Sequence, residues 1–224
     1  MKRALWAALG VVVSTSAWAG GTVEGRVQFA GPAPARVALR TQSDSACSAT
    51  LYDEAVLLGK DGRTLQNVVI RLVGPEVAPA STAAPVIIDQ NQCAYRPRIT
   101  AAAVGQPVLV RNSDGTLHNV HAYLSKKTLL NRAQPPGAKE VSLKLPAAGE
   151  VLQLKCDVHP WMLAHVVVVP HPYFAVTRED GGFQLTGIPA GTWKLEAWHE
   201  TLGVKSVEVK VEEGKPTTVS FSYP

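Results

Sequence analysis

An all-β chain of two small sandwiches is the fold class that the sequence predicts, and three observations carry it. Val and Thr recur in short alternating runs, the pattern of half-buried strands. A Gly or Pro interrupts those runs about every ten residues, drawn from 18 Gly and 16 Pro spread along the chain. The length, 224 residues, accommodates two domains of roughly 100 residues, each able to bury its own core. With 46% hydrophobic and 18% charged residues the composition is globular, neither disordered nor fibrous.

The elements follow in chain order. The N-terminus carries Lys2 and Arg3, an apolar stretch from Ala4 to Val13, and Ala17-Trp18-Ala19 before Gly20. This is the layout of a secretory signal peptide over residues 1–19. Its apolar stretch is half of the roughly 20 residues that a membrane span needs, so the expectation is an exported, periplasmic protein without membrane insertion. GTVEGRVQFAGPAPARVAL and LQNVVIRLVG then read as strands and connections. VIIDQNQCAYRPRITAAAVGQPVLVRNSD follows as a second strand-rich block, in which PVLVRN ends at a Ser-Asp-Gly turn and His118 opens the next strand. EVLQLK and HVVVV flank a short loop. Beyond it FQLTG, TWKLEAW, KSVEVKV and TTVSFSY are separated by turns at Glu179-Asp180-Gly181-Gly182, Pro189-Ala190-Gly191 and Glu213-Gly214-Lys215-Pro216, which is a β-sandwich signature.

Several function classes are disfavoured. Neither G-x-x-x-x-G-K-[ST] nor G-x-G-x-x-G occurs, so nothing signals a nucleotide site. Removal of Lys2 and Arg3 leaves 20 basic against 18 acidic residues, a net charge of +2, well mixed along the chain. No nucleic-acid partner is expected from that balance. The cysteines are Cys47, Cys93 and Cys156. An odd count in an exported chain predicts one disulfide and one thiol with another task. Cys47 and Cys93 lie in polar, loop-like surroundings and are expected to bridge.

Cys156 stands in LKCDVHPWM. Cys156, His159 and Met162 at spacing C-x2-H-x2-M fit one tight loop between two strands, so thiolate, imidazole and thioether can converge. Apart from Met1, Met162 is the only methionine in the chain. His118 supplies a second imidazole. Two imidazoles, one thiolate and a weak axial Met are the donor set of a blue-copper site, so His118, Cys156, His159 and Met162 are the expected ligands of one mononuclear Cu(I)/Cu(II) ion. Zinc is the rival, through His118-x2-His121 with Cys156-x2-His159. Residues three apart on a strand point to opposite faces, however, which separates His118 from His121. His121, His171 and His199 read as surface or inter-domain polar residues, and His165 stays unassigned.

The segments Leu117-His118-Asn119-Val120-His121 and CDVHPWM resemble their counterparts in the cupredoxins, blue copper proteins of the amicyanin and plastocyanin type. The resemblance covers about residues 84–170 and implies a Greek-key sandwich in which the first histidine, His118, is the ligand. It also implies that Asn119 ties the two ligand loops together through hydrogen bonds. Cys93 departs from that pattern, and so does the extra imidazole of His165. The C-terminal block resembles the carboxypeptidase regulatory-like domain, a small Ig/transthyretin-like sandwich, through its "D-G-x-F-x-L" and "P-x-G-x-W-x-L" strands. The strands near the N-terminus look like the opening of that same domain. Residues 21–80 and 171–223 are therefore expected to form one sandwich, with the cupredoxin inserted; plain succession of domains is the alternative.

The expected function is one-electron transfer, with no catalytic residues and with a cytochrome or a dehydrogenase as partner. His159 is expected at the surface, beside a docking rim of Pro160 and Trp161. Copper delivery and a non-redox metal-binding module are the alternatives.

Overall fold

The computed structural model describes residues 20–41, 44–74 and 84–224. The expected signal peptide, residues 1–19, and residues 75–80 of the first expected segment lie outside the described residues. Sixteen strands carry the described chain: β1 Gly21–Phe29, β2 Val69–Val73, β3 Val86–Asn91, β4 Ala94–Arg96, β5 Ile99–Ala103, β6 Val108–Asn112, β7 His118–Leu124, β8 Lys127–Gln134, β9 Val141–Leu143, β10 Val151–Lys155, β11 Leu163–Val169, β12 Phe174–Val176, β13 Gly182–Ile188, β14 Gly191–His199, β15 Gly203–Val211 and β16 Pro216–Tyr223. One 3-10 turn, Ser45–Cys47, interrupts the long connection between β1 and β2. The protein is all-β. Among the described residues no helix is long and apolar enough to cross a membrane.

The strands form four sheets, ordered β13-β1-β16, β12-β2-β14-β15, β5-β11-β10-β7-β8 and β4-β3-β6-β9. Two cores follow from inward alternation along these strands. Val23, Val27, Ile70, Leu72, Leu185, Leu195, Val209, Phe221 and Tyr223 fill the space between the first two sheets. Ile88, Tyr95, Val108, Val110, Val120, Leu152, Leu154 and Val166 fill that between the other two. β1 runs parallel to β16 and antiparallel to β13, so strands from both ends of the described chain share a sheet.

The HVVVV run has a plain explanation. Ala164 and Val166 of β11 face one core, whereas Val167 and Val169 meet Val69, Ile99, Ala101 and Ala103 in an apolar seam between the sandwiches. A strand buried on both faces needs no alternation. At the seam's polar edge Arg98 grips Glu200 with two hydrogen bonds, 2.6 Å from Nε and 2.9 Å from Nη2. β8 is the opposite case: an edge strand exposed on both faces except at Leu130 and Gln134, and so without a readable period.

Candidate metal centre

The loop before β7 is held by its own side chains. Asn112 Oδ1 accepts the Asp114 N–H, and its Nδ2 donates to the carbonyls of Thr116 and Gln134. His118 then enters β7 on the core-facing side, in phase with Val120 and Ala122. β10 ends at Lys155, and the chain turns through Cys156, His159 and Met162 before β11 begins. That turn is closed by the Met162 N–H donating to the His159 carbonyl at 2.9 Å.

Three donor atoms meet there. His118 Nδ1 and His159 Nδ1 are 2.8 Å apart, and Cys156 Sγ lies 3.9 Å from the first and 3.7 Å from the second. All three side chains are buried. A point roughly 2 Å from all three atoms exists inside this triangle, which is the length of a metal–nitrogen or a slightly short metal–sulfur bond. Each imidazole turns its other nitrogen to a carboxylate: His118 Nε2–H donates to Asp114 Oδ2 and His159 Nε2–H to Asp44 Oδ2, both at 2.9 Å. A carboxylate only accepts, so the proton sits on Nε2 and the lone pair on Nδ1. Two lone pairs facing one another at 2.8 Å repel unless a cation lies between them, so the donor set fits a metal ion.

Burial raises the Cys156 thiol above its ordinary range, against backbone amides of Asn119, Val158 and His159 that favour the thiolate. A cation beside the sulfur would reverse that balance. Burial likewise lowers the His118 imidazole, against its bond to Asp114. The neutral, ligating form is therefore the natural one for His118.

The other expected site residues are placed as follows. Met162 is buried in the same core as Cys156. Asn119 Oδ1 accepts the Asp157 N–H at 2.6 Å, and its Nδ2 donates to Asp157 Oδ2 and Asn131 Oδ1, so its amide spans the two ligand-bearing segments. Cys47 and Cys93 form a disulfide with Cα atoms 5.6 Å apart. Pro160 is exposed, and the half-buried Trp161 donates from Nε1 to the Cys93 carbonyl. His121 lies on the outer face of β7, engaged with Asp157 Oδ1 at 2.8 Å and with Thr128, and stays outside the cluster.

One expectation is corrected. His159 is not at the surface: it is 2% exposed, because the Asp44 turn and the disulfide lie across its outer edge, with Cys47 Sγ 3.6 Å from Nε2. For His171 and His199, read as surface or inter-domain residues, burial removes the surface alternative and leaves the other. Both are buried, the first donating to the Leu72 carbonyl and the second accepting the backbone N–H of Thr201 and Leu202. Sequence reasoning passed over Asp44, Asp114 and Tyr95. The Tyr95 hydroxyl donates to the carbonyls of Asn119 and Lys155, beside both ligand segments. Only the Asp-x-x-Cys spacing at Asp44 and Cys47 offered a signal for the first of these.

No protein-family model and no curated protein matches the chain. Among solved structures, a reduced amicyanin variant is similar over 44% of this chain and 97% of its own, with 24% identity and a TM-score of 0.34. A purple cupredoxin from Nitrosopumilus maritimus is similar over 38% of this chain and 99% of its own, with 25% identity and a TM-score of 0.33. A copper-containing nitrite reductase from Thermus scotoductus is similar over 44% of this chain but 25% of its own, with 17% identity and a TM-score of 0.33.

Proposed function

We propose that this chain is an exported mononuclear copper protein that carries single electrons between redox proteins. Its ligands are His118, His159 and Cys156, with Met162 as a weak fourth. The observation that carries the reading is the convergence of two imidazole nitrogens and one sulfur, 2.8 to 3.9 Å apart, in a buried pocket. A structural zinc site would want a fourth strong nitrogen, sulfur or oxygen donor. The fourth candidate here is a thioether, because His121 is committed to Asp157 on the other face. Thioether with thiolate and imidazole selects copper.

The ion would supply a one-electron couple between Cu(I) and Cu(II). The chain's part is to keep its donors still. Asn119 binds the two ligand segments to each other, and Tyr95 anchors both through their carbonyls. Burial keeps competing water away from the sulfur. Around the site Leu117, Val158 and Pro160 stay exposed, an apolar rim that suits a small transient interface with a cytochrome or a dehydrogenase. The same reading assigns residues 21–80 and 171–223 to one carboxypeptidase regulatory-like sandwich and 84–170 to a metal-holding sandwich inserted in it. The sheet orders support this division: β1 and β2 pair only with β12 to β16, and β3 to β11 pair among themselves.

Addition of Cu(II) to the folded protein tests the reading. An intense visible thiolate-to-copper band is expected, absent in Cys156→Ser and His118→Ala. A colourless wild-type complex would remove the proposal.

A further inference from the structure

The two imidazoles are held from outside by one connected structure, which joins the long connection between β1 and β2 to the turns after β3 and β6. Asp44 caps the Ser45–Cys47 turn: its Oδ1 accepts the Ala46 N–H at 2.8 Å, and its Oδ2 accepts from Thr116 Oγ1 and from His159 Nε2, each at 2.9 Å. Three residues on, Cys47 is bonded to Cys93. The Gln92–Cys93 turn has positive φ at both residues, 53° and 55°, a conformation that costs energy for side chains other than Gly. Asp114 holds it, its two oxygens accepting the N–H groups of Gln92 and Cys93 at 2.7 and 2.8 Å. The Oδ2 that accepts from Cys93 is also the acceptor for His118 Nε2. Two carboxylates far apart in sequence are thus joined through one disulfide, and each ends on a different imidazole.

We propose that Asp44 and Asp114, joined across the Cys47–Cys93 disulfide, are the positioning residues of the metal centre, and that the Asp44 turn is a lid on the outer edge of His159. The proposal rests on the metal reading for His118, His159 and Cys156. It adds what orients the two imidazoles and what closes the site. With each Nε2–H engaged, neither ring can flip without breaking a charge-assisted hydrogen bond, so both Nδ1 atoms stay inward. With the turn across His159, neither a chelator nor a redox partner touches that imidazole directly. The two negative charges also favour the higher oxidation state of the ion.

The test uses the full chain as wild type, Asp44→Ala, Asp44→Asn, Asp114→Asn and the double variant Cys47→Ser/Cys93→Ser. In the metal-free protein, long-range proton–nitrogen NMR should show a His159 Nε2–H protected from solvent exchange, with at least tenfold faster exchange in Asp44→Ala. Copper(II) affinity, measured by competition with a chelator, should fall about 10- to 100-fold in Asp44→Ala. It should fall less in Asp44→Asn, whose amide oxygen still accepts. At fixed ambient potential each Asp→Asn variant should shift the Cu(I)/Cu(II) ratio toward Cu(I), a tenfold shift being 59 mV for one electron. The double variant should reproduce the faster ring-proton exchange, and wild-type protection in it would overturn the role given to the disulfide. If wild type shows the visible band but Asp44→Ala leaves exchange, affinity and ratio within twofold of wild type, the lid is wrong while the copper reading stands. If no band forms in wild type the copper reading fails, and the ring-proton result still decides whether Asp44 holds His159.

Discussion

The protein buries two clusters of histidine and carboxylate, and they are built to opposite ends. At the seam between the sandwiches Arg98 and Glu200 meet in a two-pronged pair, their side chains 12% and 6% exposed, with His165 Nδ1 3.5 Å from Glu200 and Gln153 on the other ring nitrogen. The charges there cancel one another. At the metal centre the carboxylates stand outside the imidazoles and leave the inner nitrogens unopposed beside a thiol. In the first cluster Arg98 and Glu200 satisfy one another and only His165 Nδ1 lacks a hydrogen bond, whereas in the second the inner nitrogens face each other and would be satisfied by a cation. Similar residue types thus give a structural joint or a binding site, depending on which side of the imidazole the carboxylate occupies.

The contrast is broken most forcefully at the seam. Glu200→Ala leaves the Arg98 guanidinium buried without its partner and should destabilise the protein by about 3 to 5 kcal/mol in chemical denaturation, while the copper band persists. Loss of the band in that variant would show that the two clusters are one system. A smaller effect separates them by pH. Burial lowers His165, with Glu200 opposing and Arg98 and Lys155 assisting, and Trp198 and Gln153 packed against the ring. Burial lowers His199 as well. Such a group takes up its proton at lower pH in the folded state than in the unfolded chain, whose ordinary value is 6.5, so its stability contribution is present above that pH and is lost as pH falls below it. His165→Gln should flatten the stability slope of the metal-free protein between pH 7 and 5, by at most about 1.4 kcal/mol per pH unit. An unchanged slope would mean that His165 does not titrate with unfolding. The smallest effect belongs to His121→Ala, which removes a ring on the outer face of β7 and should keep the band within a few nanometres of wild type.

Legibility in the sequence tracked local periodicity. PVLVRN and TWKLEAW could be placed as strands because one face of each is buried and the other wet, KSVEVKV because its valines alternate and the last two, Val209 and Val211, are buried, and the C-x2-H-x2-M loop because its three residues sit on one turn. β8 was invisible because exposure on nearly every residue leaves no pattern. Asp44, with no signal beyond its spacing from Cys47, was passed over for a different reason. Its partner His159 is 115 residues away, and the connection that carries it has no repeating apolar positions. That same omission put His159 at the surface in the sequence reading: the loop alone exposes it, and only the distant turn covers it.

The pairing of β2 with β12 has an entropic side. Arg71 stands opposite Phe174 and Val69 opposite Val176, so these strands are the two arms of a hairpin whose connection is residues 74–173. Were that connection unstructured, closing the hairpin would cost about 3 kcal/mol more than closing it over a tight turn. Strands β3 to β11 fold the stretch from Val86 to Val169 within that connection, which removes most of that penalty. Melting the sandwich of β3 to β11 would therefore slacken its neighbour even without the seam contacts, and whatever holds that sandwich together also steadies the sheet that contains β2 and β12.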